Sequence, residues 1–194
     1  MYFIVDLEAT CWEIPKTPDL NEIIDIGIVV CDDQYSIIDS WTSFVRPKFN
    51  LKLSSFCKKL TSIKQIEVDE APSISEVICS FNDWFTVKFK TNPKDISWLT
   101  WDNWDLKCLI SDCLRNQIDF PFSSHYDLKY IYSIIRKCKK SDKLGLREVL
   151  DRENIICPDN LHRGLVDAIV AAKIAKSIYP FELDQIALQD PLES

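Results

Sequence analysis

The sequence predicts an α/β domain, a mixed β-sheet flanked by helices. Three observations carry this. Three β-rich segments follow one another before residue 46. Apolar residues then recur at helical spacing from Ile74 to Phe85 and from Leu106 to Leu114. The segment Gly164 to Tyr179 is a helix apolar on most sides, which must pack against something.

Taken in order, Tyr2 to Val5 reads as a buried strand. Pro15 and Pro18 mark a loop. "EIIDIGIVV", Glu22 to Val30, is rich in β-branched residues and predicts a second strand. A turn near Asp32 to Gln34 leads to a third strand over Tyr35 to Val45, which makes an antiparallel meander. Ser54 to Leu60 is a short helix. Ser73 and Glu76 form a capping box that opens a longer one. "DISWLT", Asp95 to Thr100, predicts a fourth strand, and an amphipathic helix starts at Asp105. Tyr126 to Ile135 reads equally as strand or helix, and Leu144 to Leu150 as a short helix. This order matches a ribonuclease-H-like architecture. We expect a single domain over residues 1–180 and an acidic C-terminal tail over 181–194.

The chain is 194 residues long, and a hydrophobic content of 46% suffices for a real core. No apolar stretch approaches the roughly 18 to 20 residues that span a bilayer. The N-terminus lacks the basic and apolar run of a signal peptide, so no membrane partner is expected. The eight cysteines are irregularly spaced without a Cys-x-x-Cys, which predicts free thiols in a reducing cytoplasm rather than disulfides or zinc. Only Gly27, Gly145 and Gly164 occur, so Gly-rich phosphate loops are excluded. A net charge of -7 argues against coating duplex DNA, though not against a local basic track. Lys58, Lys59 and Lys64, and the run Arg136 to Lys143, are candidates for that track and equally for solvated faces.

Asp6 and Glu8 raise the chemical question. In a strand, residues i and i+2 point to one side, so two carboxylates would face the same way. Asp105 stands where the fourth strand gives way to a helix. Asp167 stands in the first turns of the last helix, five residues after His162. Four carboxylates gathered on rigid elements would require cations. Two Mg²⁺ or Mn²⁺ ions suit oxygen ligands and, about 3.5 to 4 Å apart, would clamp a phosphodiester. An imidazole titrates near neutrality, which fits His162 to take a proton from water. Each piece has a bland alternative. Asp105 and Asp167 also suit helix starts, and Asp6 and Glu8 a strand end emerging into water.

"VDLEATCWE", "NEIIDIG", "WDNWDLKCL" and "HRGLVDA" resemble the exonuclease motifs of the DEDDh superfamily. "FVRP" and "LSSFCKKLTSIKQIEVDEAPSISEV" resemble its Eri-type 3′-to-5′ exoribonucleases, which trim small RNA, histone-mRNA and ribosomal-RNA 3′ ends. The resemblance spans about residues 2 to 179. It implies a two-metal 3′–5′ exoribonuclease releasing nucleoside 5′-monophosphates from a single-stranded 3′ end or short overhang. Asp6, Glu8, Asp105 and Asp167 would bind metal, with His162 as general base. Asp102 also follows a Trp and rivals Asp105. Phe56 and Trp104 would sandwich the terminal base, unless both rings are core, and backbone near Ala9 and Thr10 would contact its sugar. Val166 stands where relatives often have a second Asp. A DNA exonuclease and a catalytically silent binding module are the competing readings. The sequence suggests no appended nucleic-acid domain, so a protein partner would supply targeting.

Overall fold

The computed structural model describes residues 1–14, 21–139, 142 and 144–181. Strands β1 (Tyr2–Ala9), β2 (Ile23–Cys31) and β3 (Ile37–Phe44) form the expected antiparallel meander. Asp32 Oδ1 accepts the Gln34 and Ser36 amides and closes the β2–β3 turn. Two further strands, β4 (Trp98–Thr100) and β5 (His125–Asp127), extend the sheet on the other side of β1, in the order β3-β2-β1-β4-β5. β1, β4 and β5 run parallel.

The described helices are α1 (Ser55–Thr61), α2 (Gln65–Asp69), α3 (Ile74–Phe89), α4 (Asn103–Asn116), α5 (Leu128–Ile135), α6 (Leu146–Arg152) and α7 (Gly164–Ser177). The Ser73–Glu76 capping box is formed as expected. The ambiguous stretch is both things in turn, a short strand that becomes helix after Asp127 caps α5. Helix α2 is not expected from the sequence; five residues hold too little periodicity to stand out. β4 is shorter than expected because Pro93–Asp95 forms a 3-10 turn.

β1 organises the core by alternation. Phe3, Val5, Leu7 and Ala9 join the core with α3 and α4, where Phe3 meets Phe81, Phe85 and Phe122 ring to ring. Such pairs contribute about 0.5 to 1.5 kcal/mol each beyond area burial. Ile4 faces the other core, with α5, α6 and α7. All nine residues of β2 are buried, because both faces are covered.

The strand β1 runs on past the predicted Val5, so Asp6 and Glu8 lie within it rather than beyond its end. By alternation they share the Ile4 face, under α7. Of the predicted tail over 181–194, residues 182–194 lie outside those described; Phe181 stacks on Tyr35. Among the described residues, no helix is long and apolar enough to cross a membrane. The eight cysteines are free, four of them buried.

Candidate active site

Two glycines bring α7 onto the acids. Gly27 on β2 is the register partner of Asp6. A Cβ at Gly27 would lie 2.0 Å from the Gly164 carbonyl carbon. A Cβ at Gly164 would lie 2.7 Å from Gly27 N and 3.0 Å from Asp6 O. No side chain fits either position, so the first residue of α7 seats directly on the β1–β2 pair. That contact delivers Asp167, in the first turn, to the acid face of β1.

Asp105 arrives from the other side. β1 pairs with β4 only at Phe3 and Ile4. Beyond that point the Leu7 amide has no strand partner on this edge, and Asp105 Oδ1 accepts it at 2.9 Å. Asp105 is 5% exposed and Asp167 4%, while Asp6 and Glu8 are half-buried. Asp102 is the N-cap of α4, its Oδ1 accepting the Trp104 amide at 2.8 Å. Of the two, Asp105 is the one whose charge acts on Asp6.

The four carboxylates lie close enough for their charges to act on one another. Loss of solvent holds Asp6 well above the usual carboxylate range, and the charges of Asp105, Asp167 and Glu8 add to it. Glu8 is pushed up to about 8 by loss of solvent and then by Asp167 and Asp25. Asp105 reaches about 8 mainly through burial. Asp167 is raised by burial, against a lowering by the His162 amide. One Asp167 oxygen accepts that amide at 3.0 Å, and the other, Oδ1, is buried with no hydrogen-bond partner among the described residues. Buried acceptors without donors are rare and costly. His162 itself is exposed, at φ 68° in the left-handed region. Ligand atoms of Glu8, His162 and Asp167 all lie within 4.8 Å of one another. A cluster of carboxylate oxygens with one unpartnered buried oxygen fits a hard divalent cation.

The remaining predicted residues divide. Phe56 and Trp104 are 37% and 42% exposed, so neither is core. Ala9 and Thr10 are buried, and the Thr10 amide donates to Glu22 O while its hydroxyl accepts the Glu22 amide. Both Thr10 groups thus serve the strand pair. Arg136, from the basic run, makes two bonds to Glu153. Lys140, Ser141 and Lys143 of that run lie outside the described residues.

Asp25 and Arg163 belong to the site without being expected from the sequence. Asp25 Oδ2 accepts both Arg163 Nε and the Gly164 amide at 3.2 Å, and Arg163 lies over the Phe44 ring at 5.0 Å. The available signal is Asp25 lying two residues before Gly27, inside a strand buried on both faces.

The Exonuclease family model matches residues 3–175. The chain belongs to the Exonuclease family. Its relatives place it in the DEDDh 3′–5′ exonuclease superfamily, in the Eri-type branch. It is 32% identical over 191 residues to ERI1 exoribonuclease 2 of Danio rerio, covering 89% of this chain and 34% of that protein. It is 31% identical over 194 residues to the probable 3′-5′ exonuclease KapD of Bacillus subtilis, covering 97% and 87%. Its fold is similar to the nuclease domain of 3′hExo, a DEDDh family member bound to rAMP. The TM-score is 0.82 at 30% identity, over 90% of this chain and 89% of that one. The chain spans about a third of the length of the Danio relative.

Proposed function

We propose that this chain is a divalent-metal-dependent 3′–5′ exoribonuclease. It removes nucleoside 5′-monophosphates from a single-stranded RNA 3′ end or a short overhang. One observation carries the reading: Asp6, Glu8, Asp105 and Asp167 gather closely enough for their charges to act on one another, and Asp167 Oδ1 is buried with no hydrogen-bond partner among the described residues.

Mg²⁺ or Mn²⁺ held by these four carboxylates would supply Lewis-acid polarisation of the scissile phosphate. The chain's own groups do the rest. His162 takes the proton of the attacking water, and its imidazole reaches the same space as Glu8 and Asp167. Its backbone N–H donates to Asp167 Oδ2, which holds base and acid in fixed relation. Phe56 and Trp104 present exposed rings for the terminal base, a contact tolerant of any base. The preference for RNA is supported by the relatives named exoribonucleases. A protein partner for RNA choice and a cytoplasmic location, suited to eight free thiols, belong to the same proposal.

The experiment is product analysis on matched 5′-labelled RNA and DNA oligonucleotides, with Mn²⁺, with Mg²⁺ and with EDTA. The expected result is a metal-dependent ladder shortening from the 3′ end, faster on RNA, with 5′-monophosphates released. Faster DNA trimming would reverse the substrate preference. No trimming of any substrate would leave a silent module.

A further inference from the structure

Helices α4 and α5 leave neighbouring parallel strands at the same end and go to opposite faces of the sheet. α4 buries Cys108, Leu109 and Cys113 in the core with α3. α5 buries Leu128, Ile131 and Tyr132 in the core with α7. Where successive helices diverge in this way, a crevice opens beyond the carboxyl ends of the strands, the usual ligand position in open α/β sheets. Here the crevice is a groove of about 900 Å³. That lies near the top of the range of roughly 300 to 1,000 Å³ that encloses a drug-sized ligand, so it has room for more than one nucleotide. The Lys129 amide, bonded to Trp101 O at 2.9 Å, ties its two walls together.

The four acids of the active site do not line this groove. It begins beside them, because Trp104 forms part of its wall and immediately precedes Asp105.

We propose that the groove carries the nucleotides upstream of the scissile bond as a single strand. The inference rests on the exonuclease reading of the acid cluster and deepens it. The walls combine two aromatic rings, Trp104 and Tyr130, with two cations, Lys107 and Lys129. Aromatic faces for bases and cations for phosphates are the pairing that single-stranded nucleic acid requires. Two acids also line the groove, and both are engaged at helix starts. Asp102 Oδ1 accepts the Trp104 amide and Asp127 Oδ1 the Tyr130 amide, each at 2.8 Å. Lys129 Nζ lies 3.8 Å from Asp102 Oδ2, beyond hydrogen-bond distance, so a phosphate can compete for it. Lys107 is exposed.

The test uses the full chain and its Lys107→Ala/Lys129→Ala double variant. Binding of a fluorescent octauridylate is measured by anisotropy in EDTA over a salt series. Turnover of the octamer and of a dinucleotide is compared in Mn²⁺. Each lost phosphate contact on a single strand lowers the slope of log affinity against log salt by about 0.7, so the variant should be shallower by about 1.4. The octamer-to-dinucleotide ratio of kcat/KM should fall about tenfold. An unaltered slope and ratio in a variant with wild-type thermal unfolding would overturn the groove and leave the nuclease reading standing. A wild-type chain that binds the octamer through these lysines but trims nothing would support the groove and sink the nuclease reading. If the double variant misfolds, Lys107→Gln/Lys129→Gln keeps most of the side-chain length without charge and faces the same two criteria.

Discussion

Glu22, Asp25 and Asp112 are 3%, 2% and 2% exposed, as buried as Asp105 and Asp167. The protein treats the two sets differently. The Glu22 carboxylate accepts the amides of Lys48, Phe49 and Asn50. Asp112 accepts the Ile23 amide and pairs with Arg115, and Asp25 takes Arg163 and Gly164. Each of these acids is answered by donors from the chain. Asp105 and Asp167 have one backbone amide each, from Leu7 and His162, and Asp6 and Glu8 are shielded from water among neighbouring carboxylate charges. Burial alone therefore does not mark a working carboxylate. What marks it is a charge the fold has drawn away from water and left for something else to neutralise.

The sharpest way to break this contrast is to neutralise one member of the unanswered set. Asp6→Asn should cut metal-dependent turnover by roughly 10³, the rate equivalent of several kcal/mol of lost charge stabilisation. The same change should raise the melting temperature of the metal-free protein at pH 8, since it removes a like charge. Calorimetry beside a turnover assay reads both, and a lower melting temperature would mean that Asp6 belongs with the answered acids. His162→Ala should lower kcat by about 10² to 10⁴ with a much smaller change in KM. A KM effect alone would make His162 a binding residue.

The unanswered acids are legible in the sequence and the answered ones are not. Asp6 and Glu8 stand out because strand periodicity puts them on one face. Asp105 and Asp167 stand out because they sit at element starts in a recognisable order. Glu22, Asp25 and Asp112 have no such mark. Their partners lie between 3 and 139 residues away, and a loop amide leaves no trace in the sequence. The glycines are legible only as an exclusion. That Gly27 and Gly164 touch backbone to backbone depends on a helix landing on a strand pair, which no local pattern encodes. The sheet meander and α3 follow from propensity and a capping box. α2 and the split of Tyr126 to Ile135 are too short for periodicity to decide.

Arg163 joins the two regions, since it answers Asp25 beside Glu8 and directly follows His162. Arg163→Ala should lower kcat about tenfold by loosening the His162–Asp167 turn, because a displacement on the order of 1 Å can cost about 10²-fold. Arg163→Lys should recover part of the loss and should restore the Mn²⁺ concentration needed for half activation. Equal impairment by both variants, with stability falling in parallel, would reduce Arg163 to a structural residue. Glu22→Ala should act on stability instead. Removing the acceptor of several amides should cost roughly 2 to 3 kcal/mol, or about 5 to 10 °C in melting temperature for a domain of this size. Turnover per folded molecule should not change, and a fall in it would blur the distinction between the two sets.

The smallest expected effect tests the same distinction by pH. Glu8 and Asp105 have their carboxyls raised from ordinary values of 4.5 and 3.8 to about 8. Between those limits the folded metal-free protein binds more protons than the unfolded chain. Stability must then fall as pH rises through that window and level off above about 8. Melting temperature in EDTA should therefore decline from pH 5 to pH 8, and saturating Mn²⁺ should flatten the decline by favouring the charged carboxylates. In Asp105→Asn the metal-free decline should be shallower, since one of the proton-binding groups is gone. If the metal-free melting temperature instead rose with pH, the four acids would be satisfied by the fold itself, and no cation would be needed to hold them together.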